Sequence, residues 1–329
     1  MSRSLTVSVA LFALVCALAV VSLLAGRVWL SPSDIVAGVT SPEPQLAALI
    51  VGELRLPRAV LAVIVGGALG LAGAVLQGLT RNPLAEPGLL GVSAGAALGA
   101  VIAIYFGIAT AFTAAVPFFG LAGALGAIVL TFALGRGGGM LPLILAGAAV
   151  AGLASALISF ALNLAPSPYA VYEIMTWLLG SLADRSWDHV LLASPFIVAG
   201  AALLASTGRG IDALALGEAQ AASLGIDLER LNLRVLLGTA LSVGAATAVT
   251  GAIGFIGLVA PHLVRPLVGY QPSRILLPAS LAGAGLLLAA DIATRVITVG
   301  PEMKLGVFTS LVGTPFFFWL VVRLRRTSP

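Results

Sequence analysis

Ionised side chains are scarce in this sequence: only 9% of its 329 residues are Asp, Glu, Lys or Arg, against about 25% in a soluble domain. With 60% hydrophobic residues, the chain carries more apolar surface than a soluble core can hide, and a bilayer is the solvent that can accept it. A single lysine, Lys304, follows Met303. No GxxxxGK[ST] phosphate loop is therefore present, and the chain is not itself a P-loop ATPase. The one cysteine, Cys16, sits inside an apolar run, which excludes a disulfide framework and a thiolate metal site. The two histidines, His189 and His262, are expected at opposite membrane faces, so no metal site is read from them. No HExxH or pair of intramembrane carboxylates occurs. Asp291 is the only acid at appreciable expected depth, where an ion-coupled transporter usually keeps several. The net charge of +4 comes from cations scattered singly between apolar runs. A nucleic-acid binder would show a basic stripe or patch instead.

What is there is a series of uncharged stretches. At roughly 20 apolar residues per span, they predict an all-α polytopic membrane protein of about ten transmembrane helices. The expected spans are 4–26, 58–79, 91–107, 113–135, 140–163, 188–206, 233–252, 254–269, 276–297 and 305–323, forming a single transmembrane domain over 1–329. A turn at Gly107–Thr113 separates the third from the fourth. The first run, of about 21 apolar residues, exceeds the core of a signal peptide and reads as a retained helix. Ten spans put both termini on one side. If that side is cytoplasmic, eleven basic residues lie inside (Arg3, Arg81, Arg136, Arg209, Arg230, Arg234, Arg265, Arg274, Arg323, Arg325 and Arg326). Six lie outside (Arg27, Arg55, Arg58, Arg185, Arg295 and Lys304), and the excess favours cytoplasmic termini. Similar runs opening the second and seventh helices, at 54–58 and 230–234, suggest two halves of five helices. A half with an odd number of spans re-enters upside down, giving an inverted repeat.

Four segments break the hydrophobic pattern. In 77–95, Asn82-Pro83 and Glu86-Pro87-Gly88 are turn signals, and Ser93 and Gly95 begin another apolar helix. This is either a tight hairpin or a gate in which Gln77, Asn82 and Glu86 support irregular backbone near the cytoplasmic end of a pore. The stretch 207–234 is the only long polar one. There Asp212 reads as an N-cap, Gly217 interrupts, and Glu218–Leu224 forms a short helix stopped by Gly225. It is either a solvated loop or a docking element for a soluble partner. In 251–265, Pro261 breaks a helical ladder, and His262 reads as a structural hydrogen-bonding residue or, less simply, a proton relay. Lastly, Asp291 and Arg295 are four apart and can pair on one helix face. Arg55 and Arg58 either snorkel to the interface or join Arg295 in a basic outer ring that orients an acidic partner.

The runs LRLPR (54–58), RNPLAEPGLLGVSAGA (81–96), LALGEAQAASLG (214–225), GFIGLVAPHLVR (254–265) and VGTPFFFWLVVR (312–323) resemble the membrane subunits of ATP-binding-cassette (ABC) importers for ferric siderophores, haem and cobalamin. They occur in order along nearly the whole chain. The resemblance implies a multi-pass permease of the inner membrane, a second permease copy, and two cytoplasmic ATPases that carry the ATP and magnesium. It also implies a periplasmic substrate-binding protein, and no cofactor on this chain. The coupling helices would comprise Asp212, Leu214, Leu216, Gly217, Glu218, Ala221, Leu224 and Gly225, and Arg55, Arg58 and Arg295 would meet the binding protein. Gln77, Asn82, Pro83, Glu86, Pro87, Ser93, Pro261 and His262 would shape the pore and its gate. The stretch Glu302–Gly306 departs from the leucine-proline-isoleucine-glycine run of many members. Two rivals remain from the residues alone: a stand-alone ion-coupled secondary transporter, and a membrane-embedded enzyme with His262 as its only candidate.

Overall fold

A computed structural model of the protein describes residues 3–26, 28–33, 46–112, 114–137, 139–297 and 302–327, with no strand among them. Thirteen helices account for the described chain. They are α1 (Arg3–Leu24), α2 (Leu46–Thr80), α3 (Val92–Tyr105), α4 (Ala115–Gly135), α5 (Met140–Asn163), α6 (Pro168–Leu178) and α7 (Trp187–Ala205). There follow α8 (Gly208–Leu214), α9 (Glu218–Ser223), α10 (Leu228–Thr250), α11 (Ile256–Val268), α12 (Pro272–Ile297) and α13 (Leu305–Thr327). Single helical turns occur at Pro87–Leu90 and Ile108–Ala111. Eight of these helices, α1, α2, α4, α5, α7, α10, α12 and α13, are long and apolar enough to cross a membrane. The third and eighth expected spans fall on the two shorter apolar helices, α3 and α11.

The expected boundaries are close except at three places. The second helix starts at Leu46, well before the expected residue 58, because a π-helical stretch at Ile50–Arg55 leads into Pro57. Widening the ladder there lets the chain pass a residue that has no N–H to donate. A second π stretch, Ala240–Gly244, sits inside α10. The helix α6 was not foreseen, although Ser167 before Pro168 is a readable start signal: the Ser167 hydroxyl accepts from Ala170 N at 3.2 Å. Within the expected turn at 107–113, Gly107 is left-handed and Ile108–Ala111 makes one helical turn, while Thr113 lies outside the described residues.

With little hydrophobic effect available between helices in lipid, close approach supplies the packing energy. Gly66 and Gly70 of α2 face Gly283 and Ala279 of α12 so closely that a methyl on either would strike backbone across the interface. Gly95 and Gly99 of α3 do the same against α4. The end of α2 also rests on α11, with Gly73 against the Gly257 carbonyl.

These contacts sort the helix ends into two faces. One face, here the arginine face, collects the end of α1, the start of α2, the end of α12, the start of α13 and the α6–α7 loop. The other, the short-helix face, holds the end of α2, α8, α9, the start of α10, the end of α11 and the start of α12. Ser4 of α1 donates to the Arg274 carbonyl, and Arg323 of α13 lies over Trp319 beside His262, so the start of α1 and the later part of α13 reach the short-helix face. Helices α2 and α10 therefore run in opposite directions, and each is followed by an irregular break and a short apolar helix. Among the described residues, nine basic side chains of the charge count belong to the short-helix face and five to the other. Arg27 and the side chains of Arg325 and Arg326 lie outside the described residues.

Candidate functional site

On the short-helix face, α8 and α9 form the element that departs most from a membrane helix. Ile211 and Leu214 bury one side of α8, and the Asp212 carboxylate accepts from Ser273 N (2.8 Å), Ser273 Oγ (2.6 Å) and Gln271 Nε2 (2.7 Å). Asp212 is thus not the N-cap of its own short helix, as the sequence suggested. It caps the first turn of α12 across the fold, where the amide of Ser273 needs an acceptor. Gly217, at φ 111° and ψ 157°, breaks α8 from α9 in a conformation open to glycine. Ala221 is fully buried, Glu218 is half-buried near Gly139, and Gly225 at φ 81° ends α9. Leu216 (65% exposed) and Leu224 (64% exposed) stand out from this anchored base. Two large apolar side chains are thus left exposed on an otherwise anchored element.

Of the residues expected at the gate, Gln77, Glu86 and Pro87 meet α11 or the turn before it. Gln77, 3% exposed, donates to the Leu258 carbonyl at 3.3 Å and accepts from Arg265 Nη2 at 2.7 Å, tying α2 to α11. Asn82 accepts from Leu84 N at 2.9 Å, an Asx turn that redirects the chain after Arg81. Pro83 lies against the same helix end. Glu86 accepts from the Phe255 backbone N–H, and burial pushes its carboxyl above the usual value. Pro87 opens the Pro87–Leu90 turn and packs on Gly257. Ser93 is half-buried in the first turn of α3. Pro261 is buried inside α11. The hydrogen-bonding role expected of His262 is not what the structure shows. Its Nδ1 is buried without a hydrogen-bond partner, and its ring packs edge-on against Phe316 and Trp319 of α13, at 5.7 and 6.5 Å.

Between these elements, the chain from Gly251 to Phe255 leaves the helical path, with Gly251 at φ 71° and Phe255 at φ 68°. The loop after α6 donates to its start from Ser181 N to the Thr250 carbonyl, 2.7 Å apart, and accepts from the start of α13 through Gly306 N and the Gly180 carbonyl, 3.3 Å apart. A cavity of about 720 Å³ opens here, lined by Leu178, Leu179, Ala252, Gly254, Gly306, Ser310 and Thr314 among others, with no ionised side chain in its wall. Irregular backbone at membrane depth is tolerated where it lines such a cavity.

At the arginine face stand the three arginines of the expected outer ring. Arg55, Arg58 and Arg295 are not an exposed basic ring: Arg55 is 9% exposed and Arg295 8%. Arg55 donates from Nη1 to the Leu23 and Leu24 carbonyls, both at 2.8 Å, and from Nη2 to Val28 O at 2.6 Å, closing the end of α1. Arg58 reaches Asp291 at 2.7 Å and also pairs with Glu302. Arg295 pairs with Asp291 at 2.8 Å, as the i,i+4 spacing predicts, and donates to Ser22 Oγ and the Ser22 and Ala25 carbonyls. Buried guanidinium groups need this degree of satisfaction, and all three find it within the chain. Glu302, the acid that completes the set, lies in the stretch that departs from the family pattern; with no view of the fold, nothing linked it to Arg58.

The chain matches the FecCD transport family over residues 14–323. It belongs to that family. FecCD proteins are transport permease subunits rather than enzymes. Similar FecCD relatives include the hemin transport system permease protein HmuU of Yersinia pestis, 40% identical over 285 residues, 83% of each chain. The vitamin B12 import system permease protein BtuC of Vibrio cholerae is 40% identical over 334 residues, 98% of this chain and 94% of the other. The achromobactin transport system permease protein CbrC of Dickeya dadantii is 36% identical over 321 residues, 97% and 91%. A solved metal-chelate type ABC transporter in an inward-facing conformation superposes with a TM-score of 0.85 at 32% identity, over 97% of this chain and 99% of that one.

Proposed function

We propose that this FecCD chain is the permease subunit of a binding-protein-dependent ABC importer, carrying a bulky metal chelate (ferric siderophore, haem or cobalamin) across the inner membrane. The observation that carries the reading is the α8–α9 element: its base is locked to α12 through Asp212, and Leu216 and Leu224 are left outside. The chain has no phosphate loop, so hydrolysis falls to a separate ATPase that holds ATP and magnesium. Closure of that ATPase pulls on α8–α9, and the Asp212 contact passes the displacement to α12. The short-helix face is then cytoplasmic with both termini, and α3 and α11 complete ten crossings arranged as two inverted halves of five. A substrate-binding protein delivers from the arginine face, where the buried arginines set the positions of the helix ends beneath it. A second copy of the permease encloses the path, for which the uncharged cavity beside Gly251–Phe255 supplies one wall. Such a wall offers no fixed charge to hold a large neutral or compensated chelate.

Co-purification from cells that also express a cognate ATPase, with mass measurement of the complex, tests this. Two permeases with two ATPases are expected. Leu216→Arg with Leu224→Arg should leave the permease folded, since both side chains are exposed, while abolishing ATP-driven uptake in proteoliposomes. Uptake without any ATPase, driven by an ion gradient, would overturn the reading.

A further inference from the structure

On the short-helix face a second cavity, of about 260 Å³, opens where α2 ends and α12 begins, and Gln77, Arg81, Ala215, Arg265, Tyr270 and Pro272 line it. Two guanidinium groups from different helices share it. Arg81 closes α2 in the left-handed region, at φ 51°, a common helix ending that carries its side chain clear of the α2 axis. Arg265 is oriented by Gln77, whose amide is itself fixed by the Leu258 carbonyl. Neither Arg81 nor Arg265 meets a carboxylate among the described residues. The contrast on the same face is direct: Arg136 pairs with Glu229, and Arg230 with Asp227, both at 2.9 Å. Asp212, one helical turn from Ala215, is already occupied by Ser273 and Gln271.

Two forked cations beside a phenol and an amide make a site for an oxyanion. The position of the pocket selects the oxyanion. Ala215 in its wall adjoins Leu216, so the pocket continues the surface on which the ATPase is proposed to sit.

We infer that this pocket receives an acidic side chain, Asp or Glu, of the partner ATPase, adding a charge pair to the apolar seat on α8–α9. The inference rests on the importer reading above. It gives the ATPase contact two parts with different salt dependence, an apolar part at Leu216 and Leu224 and an ionic part at Arg81 and Arg265.

The test uses the full-length permease with its ATPase in mild detergent, comparing wild type, Arg81→Gln and Arg81→Glu across a sodium chloride titration, with thermal unfolding to verify the fold. Arg81→Gln should weaken ATPase capture about tenfold, as expected for losing one charge-assisted hydrogen bond, and should flatten its salt dependence. Arg81→Glu should weaken capture further. In parallel, phenylglyoxal labelling mapped by mass spectrometry should find Arg81 reactive in the permease alone and protected in the complex. Capture indifferent to both substitutions would overturn the inference while leaving the importer reading standing. So would protection of Arg81 without the ATPase, whether by phosphatidylglycerol nanodiscs or by inorganic phosphate, since either would assign the pocket to a phosphate. A wild-type chain that captures no ATPase even at low salt would sink both readings.

Discussion

The two faces of the molecule use arginine in opposite ways. On the arginine face, Arg55, Arg58 and Arg295 are buried and engaged with the chain's own carbonyls, a serine and two acids. On the short-helix face, Arg81 and Arg265 line an open pocket without an acid, beside leucines that project into solvent. The same residue type thus closes one end of the bundle internally, while at the other end Arg136 and Arg230 pair with acids and Arg81 and Arg265 line an open pocket. Position alone does not separate these uses, since both sets lie at helix ends. The difference between these two sets lies in whether a distant part of the chain, by carbonyl or carboxylate, folds back to meet the guanidinium. Asp291 and Glu302 do so for Arg58; nothing described does so for Arg81.

Three measurements break or sharpen this comparison. The largest effect is expected at Asp291, which is fully buried between two arginines. Asp291→Ala leaves both cations without their shared partner, and removing one member of a buried ion set costs about 3–5 kcal/mol. Thermal unfolding in detergent should show a large fall, and an unchanged midpoint would mean that the arginines are solvated and the face is not closed internally. Next comes Arg55→Ala, which frees three carbonyls at the end of α1. Charge-assisted hydrogen bonds are worth about 1.5–3 kcal/mol each in favourable settings. A loss of about 2 kcal/mol is expected, with faster amide exchange confined to the end of α1; uniform exchange would place the stabilisation elsewhere.

The smallest effect is on pH dependence at the other face. Burial raises the Glu86 carboxyl above its ordinary 4.5, so the folded chain holds that proton more tightly than the unfolded one. Its contribution is fully present below the ordinary value and is lost as pH climbs through the raised one. Glu86→Gln should remove that slope and leave stability at neutral pH equal or slightly higher. A slope unaltered by the substitution would assign the pH response to another group.

Much of the architecture was legible in the sequence because bilayer thickness imposes a length on every uncharged run. Most expected spans end within a few residues of an observed helix. The pairing of Asp291 with Arg295 was also legible, since a spacing of four on a helix is a local rule. So was the two-part form of 208–225, where Gly217 and Gly225 mark the breaks. Asp212 was misjudged because its acceptors' partners, Ser273 and Gln271, lie about sixty residues away and no local pattern points to them. The sequence places Arg55 and Arg58 near a membrane face but records neither the carbonyls of α1 nor the Glu302 carboxylate that meet them in the fold. The extended start of α2 was hidden by Pro57, whose local signal is to begin a helix; only the π stretch before it shows the helix passing through.

By itself, then, the sequence determined the solvent, the approximate limits of the long apolar helices, and the absence of a phosphate loop from the chain, because each follows from composition or short-range spacing. Tertiary structure decided which charges are closed off and which stay open, which helices run against each other glycine to glycine, and where irregular backbone gathers around a cavity. Those outcomes depend on contacts between residues tens to hundreds of positions apart. Whether a buried guanidinium meets its carboxylate is settled by the packing of helix ends, where one side chain's reach separates a satisfied ion from an unpaired one.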